Sequence, residues 1–316
     1  MNDISLGLLE FGDRGDKNSL SAVNEIIEYA TVADKLNYTR FWLGEHHGPD
    51  PRIPYTNPDI LLTIIAGMTE NIRVGSAGTL IKMYEPYSVI TNFKLLNNLF
   101  SGRIDLGLAK GNPGIKYLKE KIDFNKEGFY NQKIHEIAEL INNEQYNFEE
   151  KEVIIPPYKG DLPELWYLSS SYNNFDDIIK YKFNVSRSLF HGQGTTDTGL
   201  EKEKMIKHKE VFFSKNGFYP KINIAVGISI GKTIKEAKEK FELACKKEGV
   251  SLSQAWKIIP VTVNSLFDLL NEYKISYGID EFILFDIGAN NEEKIDNIFQ
   301  IAEKFKLTQL KEVYGG

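Results

Sequence analysis

The chain has 316 residues and a single cysteine, Cys245. One thiol excludes an internal disulfide and a cysteine-based zinc centre. It fits a reducing compartment, so a cytoplasmic protein is expected. Cys245 sits in the helical-looking run TIKEAKEKFELACKK and reads as a small packed residue. No stretch reaches the roughly 20 apolar residues that span a bilayer. The start, MNDISLGLLEFGD, lacks the basic region of a secretion signal and reads as a first strand. A membrane partner is therefore not expected. Positive charge is not in excess: 38 Lys and Arg face 44 Asp and Glu, a net charge of −6. Nucleic acid is not an expected partner, because phosphate backbones need a basic surface. The first turn, EFGDRGD, lacks G-x-G-x-x-G, and nothing matches G-x-x-x-x-G-K-[ST].

Histidine is scarce too, with five in all, yet two stand side by side in RFWLGEHHGPD. Glu45, His46 and His47 end a short apolar run that reads as a strand. They put a carboxylate and two imidazoles at a strand-to-loop junction, where proton transfer or metal binding is chemically open to them.

The apolar pattern alternates between short β-like runs and longer helical ones. Strands are expected at 4–11, 40–44, 73–81, 104–109, 165–169, 184–190, 222–229 and 281–286. Helices are expected at 20–36, 60–68, 86–99, 127–142, 176–182, 196–216, 233–247 and 292–306. Pro58 and Pro86 fall in first helical turns, where a missing N–H costs nothing. Strict alternation implies a parallel sheet with helical crossovers. Eight units over this length, with no linker, predict one domain over 1–316. Its class is a (β/α)8 TIM barrel with a small insertion after the fourth helix. The insertion, 144–163, reads as a small hairpin.

In such a barrel the active site lies at the C-terminal ends of the strands. Strand two ends in Glu45-His46-His47, strand three in Ser76-Ala77-Gly78 and strand four in Ala109-Lys110-Gly111. Strand five ends in Ser169-Ser170-Ser171 and strand six in Phe190-His191-Gly192. Only strand two is rich in ligand residues, and neighbours on a strand point to opposite faces, so a metal centre is not expected. Lys110 among glycines and the serines at a helix mouth suit a phosphate. Each has a plain reading as well: the serines as an N-cap cluster, Lys110 as a solvated lysine, His191 as a packed histidine.

Three segments carry a resemblance: FWLGEHHGPD, IRVGSAGTLIKMYEPYSVITNFKLLNNLFSGRIDLGLAKGNPG and PELWYLSSS. In order and spacing, from the first strand to the fifth, they are similar to the bacterial luciferase-like flavin-dependent monooxygenases. That resemblance implies a barrel that binds reduced FMN and uses dioxygen on a small organic substrate. It implies that His46 is the catalytic acid/base, oriented by Glu45, and handles the oxygenated flavin or a substrate proton. A histidine suits this, since its unperturbed pKa of about 6.5 allows either form at neutral pH. Ala77-Gly78 matches the place where the family often has a non-proline cis peptide against the flavin ring. Lys110 stands where many members carry a phosphate-binding arginine; it keeps the charge but not the bidentate fork. Ser170 and Ser171 match the phosphate site of the fifth strand. Phe11 and His191 would line the substrate side. Ala109 replaces the reactive cysteine of light-emitting members, which argues for a relative and not a luciferase. The stretch IIPVTVNSLFDLLNEY departs from the family's usual Gly-Thr-Pro-Glu opening. A homodimer and a separate flavin reductase are implied partners. The rival readings are an F420-dependent hydride-transfer enzyme and a flavin binder without turnover.

Overall fold

The computed structural model describes residues 4–15, 17–170, 175–191, 198–251 and 256–307. The chain opens with β1 (Ser5–Glu10), α1 (Ser19–Lys35), β2 (Arg40–Leu43), α2 (Asp59–Met68), β3 (Arg73–Leu80) and α3 (Pro86–Leu99). It continues with β4 (Ile104–Ala109), a short α4 (Lys116–Lys119), α5 (Phe129–Asn142), α6 (Glu144–Lys151) and β5 (Glu164–Ser169). Then come α7 (Phe175–Tyr181), β6 (Asn184–Ser188), α8 (Thr198–Asn216), β7 (Ile222–Ile230), α9 (Ile234–Lys247) and β8 (Ile258–Val261). Last are α10 (Val263–Tyr277), β9 (Glu281–Asp286) and α11 (Asn291–Phe305).

Eight of these strands close a parallel barrel. β1 to β7 pair in order, β7 pairs with β9, and β9 returns to β1. Alternate residues then serve two cores. Leu6, Leu8, Phe41, Leu43, Leu106 and Leu108 face the ring of helices. Leu9, Trp42, Trp166, Phe190, Ile283 and Phe285 fill the barrel itself. At the N-terminal end the filling is ionic. Asp105, fully buried, accepts from Arg40 (2.6 Å), Arg73 (2.7 Å) and the Trp42 indole N–H (2.9 Å). Breaking a buried cluster of this kind costs about 3–5 kcal/mol. It therefore locks the base of the barrel, and the chemistry is left to the opposite end.

Three glycines bring β3 and β4 into close contact. A Cβ at Gly75 would lie 2.5 Å from the Asp105 carbonyl, and one at Gly107 2.3 Å from the Ser76 carbonyl. At Gly78 it would strike Leu168 of β5. The register slips between Ser76 and Thr79. That irregularity lifts Ala77 into the barrel mouth.

Two parts of the fold differ from the expectation. The insertion at 144–163 is not a hairpin: it begins with the helix α6, whose Asn147 side chain donates to the Glu139 and Leu140 carbonyls and so ties α6 to α5. The larger surprise is β8. It pairs with β7 alone, on the edge that β6 leaves free beyond Ala225. A strand of four residues containing Pro260 gives little signal, and proline is tolerated there because β8 has one open edge. Its arrival displaces α9, which packs on β7 and β8, while α10 takes the place between α8 and α11. The pair α9–β8 thus rises over the C-terminal mouth. Among the described residues no helix is long and apolar enough to cross a membrane.

Candidate active site

The loop after β2 explains how the histidines divide their work. Glu45 and His47 are two residues apart on extended chain, so they share a side. Both are buried. Glu45 Oε1 meets His47 Nε2 at 2.6 Å and also accepts from the Tyr84 hydroxyl. Its Oε2 accepts from the Leu80 amide at 2.8 Å. The His47 carbonyl accepts from the Gly114 amide at 2.8 Å. Glu45 therefore ties the ends of β2 and β3 together, and its partner is His47, not His46 as expected. The alternation of an extended chain is the reason.

His46 points the other way. It is exposed, and its imidazole has no hydrogen-bond partner among the described residues. Burial of its surroundings, and secondarily the neighbouring His47, push its pKa below the usual value. A neutral imidazole with open nitrogens can accept a proton near pH 7. Its ring lies 6.1 Å from that of Phe11. Phe11 in turn rests on Trp256 (5.1 Å) and edge-on to Phe285 (5.2 Å). Gly44 makes that seat, since a Cβ there would fall 2.2 Å from the Phe11 ring. His191 closes the row 5.8 Å from Trp256, with its Nδ1 2.8 Å from the Ser188 hydroxyl. Its pKa too is lowered, by burial first and by His46 second.

The result is a half-buried apolar floor of Phe11, Ala77, Leu168 and Trp256 over the inner core. The bond between Ala77 and Gly78 is cis, at the position the resemblance gives. Beside this floor stand the basic residues. Lys110 is exposed just beyond β4. Lys82 is buried, held by the Asn112 side chain and by the Phe124 carbonyl at 3.1 Å. Burial, then the nearby charge of Lys110, lowers the Lys82 pKa. Neither lysine has a carboxylate within ion-pair distance among the described residues, although carboxylates outnumber cations in the chain. Ser170 is exposed at the end of β5, next round the barrel. Ser171 lies outside the described residues. Two neighbouring cations without a counter-charge, a serine hydroxyl and an apolar floor fit a flavin phosphate and its flat ring.

Sequence reading missed Lys82, Leu168 and Trp256. Lys82 had a signal, as the one cation in the apolar run TLIKMY. Trp256 had none, because its place depends on β8. Among the described residues there is no group of three or more His, Cys, Asp and Glu side chains that could hold a metal ion.

Residues 6–151 match the family model of the luciferase-like monooxygenases. Over that segment the chain is similar to the luciferase-like monooxygenase family. The Bacillus subtilis protein YwcH is 27% identical over 264 residues, covering 79% of this chain and 76% of its own. The N-acetyl-S-alkylcysteine monooxygenase of the same organism is 34% identical over 114 residues, 36% of this chain and 34% of its own length. Among solved structures, apo-MsnO8 superimposes with a TM-score of 0.78 at 20% identity, covering 96% of this chain and 99% of that one. At that identity the likeness speaks for the fold. Other solved structures of this fold include a type II Baeyer-Villiger monooxygenase in complex with FMN (TM-score 0.65, 15% identity) and an F420-dependent secondary alcohol dehydrogenase in complex with an F420-acetone adduct (TM-score 0.69, 12% identity).

Proposed function

We propose that the protein is a monooxygenase that uses reduced FMN and dioxygen to oxygenate an organic substrate. The observation that carries this reading is the unpartnered His46 imidazole beside a flat apolar floor whose far rim holds the uncompensated pair Lys82 and Lys110. Reduced FMN supplies two electrons, so one atom of dioxygen enters the substrate and the other leaves as water. The residues do the rest. Lys110, Lys82 and Ser170 hold the phosphate by charge and hydrogen bonds. Ala77, Gly78 and Leu168 support the ring face and keep water from beneath it. His46 takes or returns a proton through its imidazole, while Glu45 and His47 fix the loop that presents it. The chain has no nicotinamide motif, so a separate reductase supplies the reduced flavin.

The working unit in this reading is a homodimer. α2 exposes Ile60, Ile64 and Met68, and α3 exposes Tyr87, Leu95 and Leu99. Neither helix exposes a charged side chain, whereas α9 exposes Lys235, Lys238 and Glu239. An apolar face free of charge is complementary to a second copy of itself, with nothing to repel it across a two-fold axis.

The test is an anaerobic fluorescence titration with reduced FMN and, in parallel, reduced F420, followed by exposure to air. Tight binding of reduced FMN and protein-dependent flavin reoxidation are expected. No binding of reduced FMN rejects the reading, and tighter binding of F420 replaces it with hydride transfer.

A further inference from the structure

A cavity of about 490 Å3 opens beside His46, bounded by the aromatic rim and by α9. Phe11, Trp256 and Phe285 line it near His46; Glu10, Arg14 and Lys294 line its buried side. These three charged groups are at most 3% exposed. Glu10 is fully engaged. Its Oε1 accepts from the Gly12 amide at 2.6 Å, and its Oε2 accepts from Arg14 Nη1 at 2.9 Å and Lys294 Nζ at 3.2 Å. Arg14 is not. Its Nη1 also donates to the Asp13 carbonyl at 2.8 Å, but Nη2 and Nε make no hydrogen bond. Glu25 Oε2, itself without a hydrogen bond, stands 3.8 Å from Nε and forms an ion pair with it, so Nη2 is the edge left open.

Leaving buried N–H donors unmade costs about 1–3 kcal/mol each. The loop is nonetheless built to hold Arg14 there. Gly12 and Gly15 take left-handed φ values of 95° and 66°. The Gly15 amide donates to Asp13 Oδ1 at 2.8 Å. A Cβ at Gly12 would collide with Pro54 at 2.5 Å. A guanidinium with an open edge, in a cavity with aromatic walls, is a receptor for a flat anion.

We propose that Arg14 is a specificity residue that receives the carboxylate of the substrate, whose apolar or aromatic body lies against Phe11, Trp256 and Phe285 and so reaches His46. This rests on the monooxygenase reading for the chemistry at His46, but not for the binding itself. A monoanion fits better than a phosphate dianion, because Glu10 and Asp286 already line the same wall and would repel a second negative charge.

The experiment is titration calorimetry of the flavin-free protein with hydrocinnamate and with its neutral amide. The acid should bind about tenfold tighter or more, the effect of one charge-assisted contact. Arg14→Lys keeps a cation for Glu10 but removes Nη2, and should erase most of that preference while circular dichroism stays native. Equal affinity for acid and amide, no binding of the acid at millimolar concentration, or a folded Arg14→Lys that keeps the preference would each overturn the proposal. If Arg14→Lys does not fold, the Arg14 Nε–H resonance of the wild type decides: it should shift with the acid and not with the amide, and no shift refutes it. Equal affinity for acid and amide in a wild type that still binds reduced FMN rejects this site alone. Loss of FMN binding with the preference intact rejects the cofactor reading alone.

Discussion

Glu45 and His46 are neighbours with opposite roles, and substituting each in turn separates them. Glu45→Gln keeps size but replaces one carboxylate oxygen with a donor. Three donors now converge on that carboxylate: His47 Nε2, the Tyr84 hydroxyl and the Leu80 amide. Whichever way the amide turns, its NH2 faces at least one of them. The loss of a charge-assisted hydrogen bond and the burial of an unpaired donor together cost about 2–4 kcal/mol. For a chain of 316 residues that is a fall in melting temperature of roughly 3–6 °C. His46→Asn touches no internal hydrogen bond, so its stability should stay within about 0.5 kcal/mol of wild type. Its effect belongs to the reaction, where losing a proton carrier costs about 10²–10⁴-fold. Thermal unfolding by circular dichroism reads the first quantity. The protein-dependent rate at which reduced FMN is reoxidised under air, below the melting range of both variants, reads the second. The reasoning fails if Glu45→Gln melts like the wild type, or if His46→Asn loses stability and keeps the rate.

Three other outcomes follow from the same geometry. Lys82→Ala and Lys110→Ala should each weaken reduced FMN by about 10–100-fold in fluorescence titrations, the range of one hydrogen bond to a charged group, yet leave riboflavin almost unaffected because it has no phosphate. Asp59 is pushed up to about 6 by burial first and by Glu45 second. A raised carboxyl favours the folded state while protonated, so its penalty is absent below pH 4 and complete above pH 6. Asp59→Asn should therefore stabilise the protein by about 1–3 kcal/mol at pH 8 and flatten the stability profile between pH 4 and 6, as measured by urea unfolding. The double variant Ile64→Glu, Leu99→Glu puts charge on the faces of α2 and α3. If the proposed homodimer forms through these faces, light scattering after gel filtration should show a dimer for the wild type and a monomer for the variant, and a variant that stays dimeric would move the interface elsewhere.

The barrel was legible because its strands announce themselves one at a time. Runs such as INIAVGISI and EFILFD are apolar on both faces, as a strand between helices and a filled interior must be. What escaped was β8. It has four residues, includes Pro260, and is stable only because β7 is longer than β6 and offers an unpaired edge. That is a property of two other strands, and no local pattern encodes it. The error carried over to α9, whose amphipathic pattern fits a ring helix and a mouth helix equally well.

For the site the limit is of another kind. Residue types and strand ends placed Glu45, His46, Lys110 and Ser170 on one rim. Which of two adjacent histidines faces inward depends on where Leu80, Tyr84 and Gly114 stand, and these come from other strands and loops. Arg14 shows the same dependence more strongly. In EFGDRGD it looks like a solvated turn residue, since arginine in a Gly-Asp loop is ordinarily a surface group. Folding turns it inward because Glu10 ends β1 on the helix-facing side and Lys294 arrives on α11 to share that carboxylate. Arg14 Nε and Nη2 are then left without a hydrogen-bond partner among the described residues. The charge that matters for substrate choice is thus created by packing, and a sequence shows only that it is available.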